Sequence, residues 1–243
     1  MDLRAVDARI GRAAEHAKAL DDLVAAYVAL PPWREERRPG SSPERQIRRV
    51  DLQVPLPITV PIVLSDAIHQ SRAALDNLVT ALRGGIASDR TYFPIRDNAT
   101  AYDNVVGSYL QGVPDWAKDL IRDMQSFSGS LIRYLGDELE QLHDLARIDR
   151  HQAPPVQVAF LQPDYVTSNE GADVQFRSNL ATWAEVEYVT GLVGVVHFKV
   201  EVRFDPSVPS VGDFEVVPWT SVIVRAVADV VARVRQEAAA QGI

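Results

Sequence analysis

The chain contains no cysteine. That excludes disulfides, thiolate metal ligands and cysteine nucleophiles together, and it fits a reducing compartment. No apolar run approaches the roughly 18 residues that a membrane span requires. The opening stretch, MDLRAVDARIGRAAEHAKAL, is charged throughout and lacks the apolar core of a signal peptide. A cytoplasmic protein with no membrane partner is therefore expected. Signature motifs are scarce as well. Gly84-Gly85 reads as a helix stop rather than a phosphate loop, no H-E-x-x-H is present, and Ser65 and Ser71 lack a nucleophile-elbow context. His143 and His151 are eight positions apart, with His143 projecting away from Asp149, so neither a metal nor a cofactor is expected. His197 reads as an exposed residue on the polar side of a strand. The tryptophans (Trp33, Trp116, Trp183 and Trp219) are scattered, without the array on which successive bases stack.

What is present describes a globular chain. The 243 residues are 47% hydrophobic and 24% charged, enough to bury a sizeable core. The net charge of -8 repels nucleic acid and anionic membrane at long range, yet leaves room for a local basic patch.

Apolar spacing predicts a helix over residues 2–29, ended by Pro31-Pro32. Residues 33–45 read as a polar connector rich in arginine (Arg34, Arg37, Arg38 and Arg45). It is either a solvated loop or an anion-binding surface. Residues 46–54 alternate with period two, which predicts a strand. A helix over Leu64–Arg83 follows, then an extended TYFPI segment at residues 91–95. Further helices are expected near 98–110, 115–125 and 131–151, the last with an apolar stripe running from Leu131 through Leu135, Leu139, Leu142 and Leu145. Beyond Pro154-Pro155 the period returns to two over residues 156–161, 172–176, 184–189 and 193–204, and a helix near 219–240 ends the series. Helices, then strands, then one helix argue for an α+β fold. The expected architecture is a helical N-terminal layer packed on a C-terminal antiparallel β-meander, closed by the C-terminal helix. Residues 1–155 and 156–243 are its two halves within one compact domain.

The Leu64–Arg83 helix carries the chemistry. Leu64, Ile68, Ser71, Leu75, Leu78 and Leu82 form a seam with alternating steps of four and three. Ser65, His69, Arg72, Asp76 and Arg83 border it, and the last four fall within about 60° of one another on the helical wheel. Polar groups on the shoulder of an apolar seam are half-buried and need partners. Asp149 projects inward from the last turn of the 131–151 helix, where the helix dipole disfavours a carboxylate. Arg72 or His69 is its expected partner, with Arg147, Arg150 and His151 alongside. The candidate site is thus His69, Arg72, Asp76, Arg147, Asp149 and His151. Arg72 and Arg147 would bind phosphate, His69 and His151 would serve as acid and base, and Asp76 and Asp149 would orient them. Alternatively, Arg72–Asp149 and His69–Asp76 are structural pairs tying two helices together in a non-catalytic interaction module.

These residues also carry a resemblance. IHQSRAALDNLVTAL, then Phe93-Pro94-Ile95, then MQSF at 124–127, then LHDLARIDRH at 142–151 resemble a widespread bacterial protein family. In that family a His-x-x-Arg-x-x-Leu-Asp helix precedes Phe-Pro-Ile and Asp-Lys-His. Arg150 stands here in place of the lysine. The resemblance covers roughly residues 46–155 and implies no established activity. A looser likeness is to HEPN-type helical ribonucleases, which pair an arginine with a histidine after four to six intervening residues near a helix end. Arg147 and His151 are separated here by three residues. That likeness implies metal-independent cleavage of RNA, or action on another phosphate-containing ligand, by a homodimer.

Overall fold

The computed structural model describes residues 1–30, 32–132, 134–149, 156–160, 164–167, 174–179, 182–190, 193–198, 200–212 and 214–243. The fold is α+β, with antiparallel strands set among helices. Helix α1 (Arg4–Ala29) packs along α2 (Thr59–Leu82). Arg9 bonds Gln70 near one end of the pair and Tyr27 bonds the Val54 carbonyl near the other, so the two helices run antiparallel. Helix α6 (Val216–Ala240) lies across α1, α2 and α5 (Tyr134–Asp149). Arg235–Asp7 and Trp219–Gln141 tie it down at its two ends.

The buried positions of α2 recur with the helical period: Leu64, Ile68, Ser71, Leu75, Leu78 and Leu82 all lie in the core. The helix stops where Gly84 and Gly85 take left-handed φ values of 76° and 88°, and the Gly85 amide bonds back to the Thr80 carbonyl. A substituent at Cβ would strain both positions. Short helices α3 (Ala99–Tyr109) and α4 (Asp115–Asp123) follow, the first capped by the Asn98 side chain.

Residues 33–39 form a strand, not the expected connector. β1 (Trp33–Pro39) pairs with β2 (Arg45–Leu52), and its lack of apolar alternation is offset by charge pairing. Glu35 bonds Arg48 at 2.7 Å, and Arg38 reaches Glu185 at 2.7 Å. Cross-strand pairs of opposite charge stabilise such a ribbon. Several arginines of this region are thereby matched with carboxylates.

The strands pair in an order less sequential than a meander. One sheet runs β1-β2-β6-β5, joining the N-terminal hairpin to β5 (Gln175–Asn179) and β6 (Trp183–Val189). β3 (Val156–Phe160) pairs with β8 (Val200–Phe204), and β4 (Asp164–Thr167) with β7 (Val193–His197), as two nested pairs. The continuous strand expected over 193–204 is thus divided between two partners. Val200, Val202 and Phe204 face the core as their alternation predicts. Glu201 is buried as well, matched by Arg203 at 2.8 Å. The 172–176 strand lies a few residues further along, at 175–179; residues 172 and 173 fall outside the described set.

Two helical expectations also change. α5 begins at Tyr134, and Leu131 is 96% exposed rather than the first rung of the apolar stripe. Serine-to-backbone bonds at Ser128 and Ser130 hold that approach in a turn instead. The TYFPI segment joins no strand. Its backbone groups are met by side chains of α2, which leads directly to the polar edge of that helix.

Candidate functional site

Arg72 and Asp76 lie one turn apart on α2 and close a ring on Phe93. The Arg72 guanidinium donates to the Phe93 carbonyl at 2.6 Å and to Asp76 Oδ1 at 3.0 Å. The same carboxylate oxygen accepts the Phe93 amide at 2.9 Å. Phe93 itself is fully buried. Further along, Arg83 donates to Ser88 at 3.0 Å and to the Thr91 hydroxyl. The polar edge of α2 therefore holds residues 91–95 in place by binding their backbone and hydroxyl groups, which an unpaired buried segment requires.

At the N-terminal end of that edge, His69 Nε2 lies 3.0 Å from Asp149 Oδ2, and the Ser65 hydroxyl donates to the same oxygen at 2.5 Å. The Asp149 side chain is 3% exposed and His69 is half-exposed. The carboxylate ends α5, where the helix dipole opposes it, and the Ser65 hydroxyl and His69 imidazole of α2 lie against it. The pairs seen are thus His69–Asp149 and Arg72–Asp76, crossed relative to the structural pairs expected from the wheel. Arg147 points to solvent, 70% exposed, 3.9 Å from Asp144. Arg150 and His151 lie outside the described residues, so the expected pairing of His69 with His151 does too.

A cavity of about 310 Å³ opens beside the ring, one turn along α2 from His69. Arg72, Arg96, Arg147 and His143 line it, together with Tyr92, Tyr109, Phe93 and Ala146. It adjoins a wider hollow of about 570 Å³ that shares Arg96, His143 and Arg147. Arg96 is oriented by its own contacts. Its amide donates to the buried Gln125 side chain at 3.1 Å, and its guanidinium donates to the Ile95 carbonyl at 2.6 Å and sits 5.8 Å from the Tyr109 ring centre. Burial, and then the charges of Arg72 and Arg96, push the His143 imidazole from its ordinary 6.5 down to about 4. Asp144 opposes the shift and Arg147 adds to it. At neutral pH the cavity holds guanidinium groups around an uncharged imidazole.

Arg96, Tyr92 and Tyr109 are not among the residues singled out by sequence, and His143 enters there only as a rejected metal ligand. One signal was available: His143 and Arg147 are four apart on α5 and so share a face. Arg96 and Tyr92 share the segment before α3, Tyr109 ends α3, and no local spacing announces their meeting with α5. Among the described residues, no group of three or more His, Asp or Glu side chains is placed to hold a metal ion, and no helix is long and apolar enough to cross a membrane. No family model, curated protein or solved structure matches the chain.

Proposed function

We propose that the cavity between α2, residues 91–96, α3 and α5 binds a phosphate ester, and that the protein performs acid–base chemistry on it with imidazole groups. RNA is the polymer that presents such an ester, in keeping with the HEPN-like expectation. One observation carries the reading: Arg72, Arg96 and Arg147 line the same cavity as an uncharged His143. Guanidinium groups bind phosphate oxygens through directed, charge-assisted donors. A neutral imidazole beside them is a proton acceptor in the correct state at pH 7. His69, with Nε2 3.0 Å from Asp149 Oδ2, is a second imidazole, one turn along α2 from Arg72.

Anion binding tests this directly. A phosphate placed among the guanidinium groups offsets the field that depresses His143, so its titration midpoint rises from about 4. Histidine ring NMR with and without inorganic phosphate reads the change. Arg147→Ala, at an exposed position, weakens the effect without unfolding the protein. A His143 signal unmoved at saturating phosphate removes the reading. Cleavage of single-stranded RNA in the presence of a chelator, lost in His143→Gln, extends the test to activity.

A second reading is favoured by the bonds of Arg72 and Asp76 to Phe93. In it the same residues are an internal polar clamp within a non-catalytic module. It predicts large stability losses at Arg72 and Asp76 and no phosphate response at His143.

A further inference from the structure

We infer that the ligand of this cavity is a single nucleotide unit, with its phosphate on the arginines and its base against Tyr92; this rests on the phosphate reading above. Aromatic side chains share the lining with the cationic groups. Tyr92 and Tyr109 stand with ring centres 5.6 Å apart and planes inclined at 59°. Tyr92 is 40% exposed, whereas Thr91, Phe93, Pro94 and Ile95 around it are buried. Its ring projects from a segment fixed by the ring of bonds between Arg72, Asp76 and Phe93. An aromatic face held rigidly at the lip of a cavity binds a flat partner at little ordering cost.

The contacts of Tyr109 point the same way. It already carries the Arg96 guanidinium near its face, so cation and aromatic surface alternate along one wall. That alternation matches a molecule in which a base is joined to a phosphate by a short linker. Size selects one unit rather than a run. The cavity is about 310 Å³, at the lower end of the roughly 300–1,000 Å³ typical of small-molecule sites. Inorganic phosphate alone would leave the tyrosine side unfilled. A 5′-nucleotide, or the terminal nucleotide of an RNA, fills both sides.

Calorimetric titration of the intact chain at low salt tests this with four probes: adenosine 5′-monophosphate, ribose 5-phosphate, phenyl phosphate and inorganic phosphate. The expected result is that the nucleotide binds tighter than ribose 5-phosphate by about 10-fold or more. Tyr92→Leu removes that margin and leaves ribose 5-phosphate binding unchanged, while Tyr92→Phe retains it. Circular dichroism of each variant establishes that it is folded. Equal binding of nucleotide and ribose 5-phosphate by the native chain overturns the base contact and leaves the phosphate reading standing. Tighter binding of phenyl phosphate than of the nucleotide overturns it in favour of a phosphotyrosine-like ligand. Failure of all four probes to bind overturns this inference and the phosphate reading together.

Discussion

Replacing Asp76 by alanine is the most demanding test of the polar edge of α2. One carboxylate oxygen accepts from both Arg72 and the amide of a fully buried phenylalanine. Its loss strands an amide and removes a neutralising charge from a guanidinium that is 11% exposed. Removing one partner of a fully buried ion pair costs about 3–5 kcal/mol. The Asp76 side chain retains 24% exposure, so solvent screens part of the interaction. Allowing for that screening, the loss should be roughly 2–4 kcal/mol. For a chain of this size it lowers Tm by about 5–15 °C. Equilibrium unfolding in guanidinium chloride gives the free energy, provided the denaturant slope is unchanged. Arg72→Met with Asp76→Leu removes both charges and should cost less than Asp76→Ala alone, because no unpaired charge remains. If Asp76→Ala lies within about 0.5 kcal/mol of the native chain, as for an ordinary surface change, the ring is not structural and the reasoning is refuted.

Three further outcomes are expected. Tyr102→Phe should raise stability by about 1 kcal/mol in the same unfolding assay, because its buried hydroxyl has no hydrogen-bond partner among the described residues. Gly136→Ala should destabilise by more than the roughly 1–3 kcal/mol of ordinary overpacking, since its Cβ would fall inside the Ser126 amide nitrogen and 2.7 Å from the Gln125 carbonyl carbon, both backbone atoms. His143, held near 4 in the native state against 6.5 when unfolded, binds fewer protons folded than unfolded between those values. Its contribution is therefore fully present above pH 6.5 and declines as pH falls towards 4, and His143→Gln should flatten that part of the stability profile.

Much of the fold was legible because burial repeats locally. The seam of α2 could be read one turn at a time, and each of its positions is buried. The glycine stop after Arg83 and the alternation of Val200, Val202 and Phe204 were equally local. β1 is not legible because it carries no apolar stripe of its own; it is held by charges on the neighbouring β2 and on β6, which is distant in sequence. The break between β7 and β8 has the same cause: each half has its own distant partner strand. At the site, the wheel brings Asp149 to the shoulder of α2 with Arg72 or His69 as its partner, and the structure gives it His69. Arg72 is drawn to the Phe93 carbonyl, which leaves His69 and Ser65 to meet the carboxylate. The cavity was least legible of all, because Tyr92 and Arg96, Tyr109, and His143 converge from three places on the chain.

The pairing of β2 with β6 sets an order of events during synthesis. Residues 45–52 leave the ribosome long before residues 183–189, to which they bond. Until then one rim of the β1-β2 hairpin presents free amides and carbonyls, the kind of rim that recruits other chains. Its side chains supply the safeguard: Arg48 and Arg49 are matched within the hairpin by Glu35 and Asp51, and the excess of arginine over carboxylate that remains on the two strands repels a second copy of the same rim. When β6 arrives it brings Glu185 and Glu187, and both become buried in the finished sheet. Charge that keeps the half-made protein from associating with itself thus becomes the means by which the late strand recognises the early one.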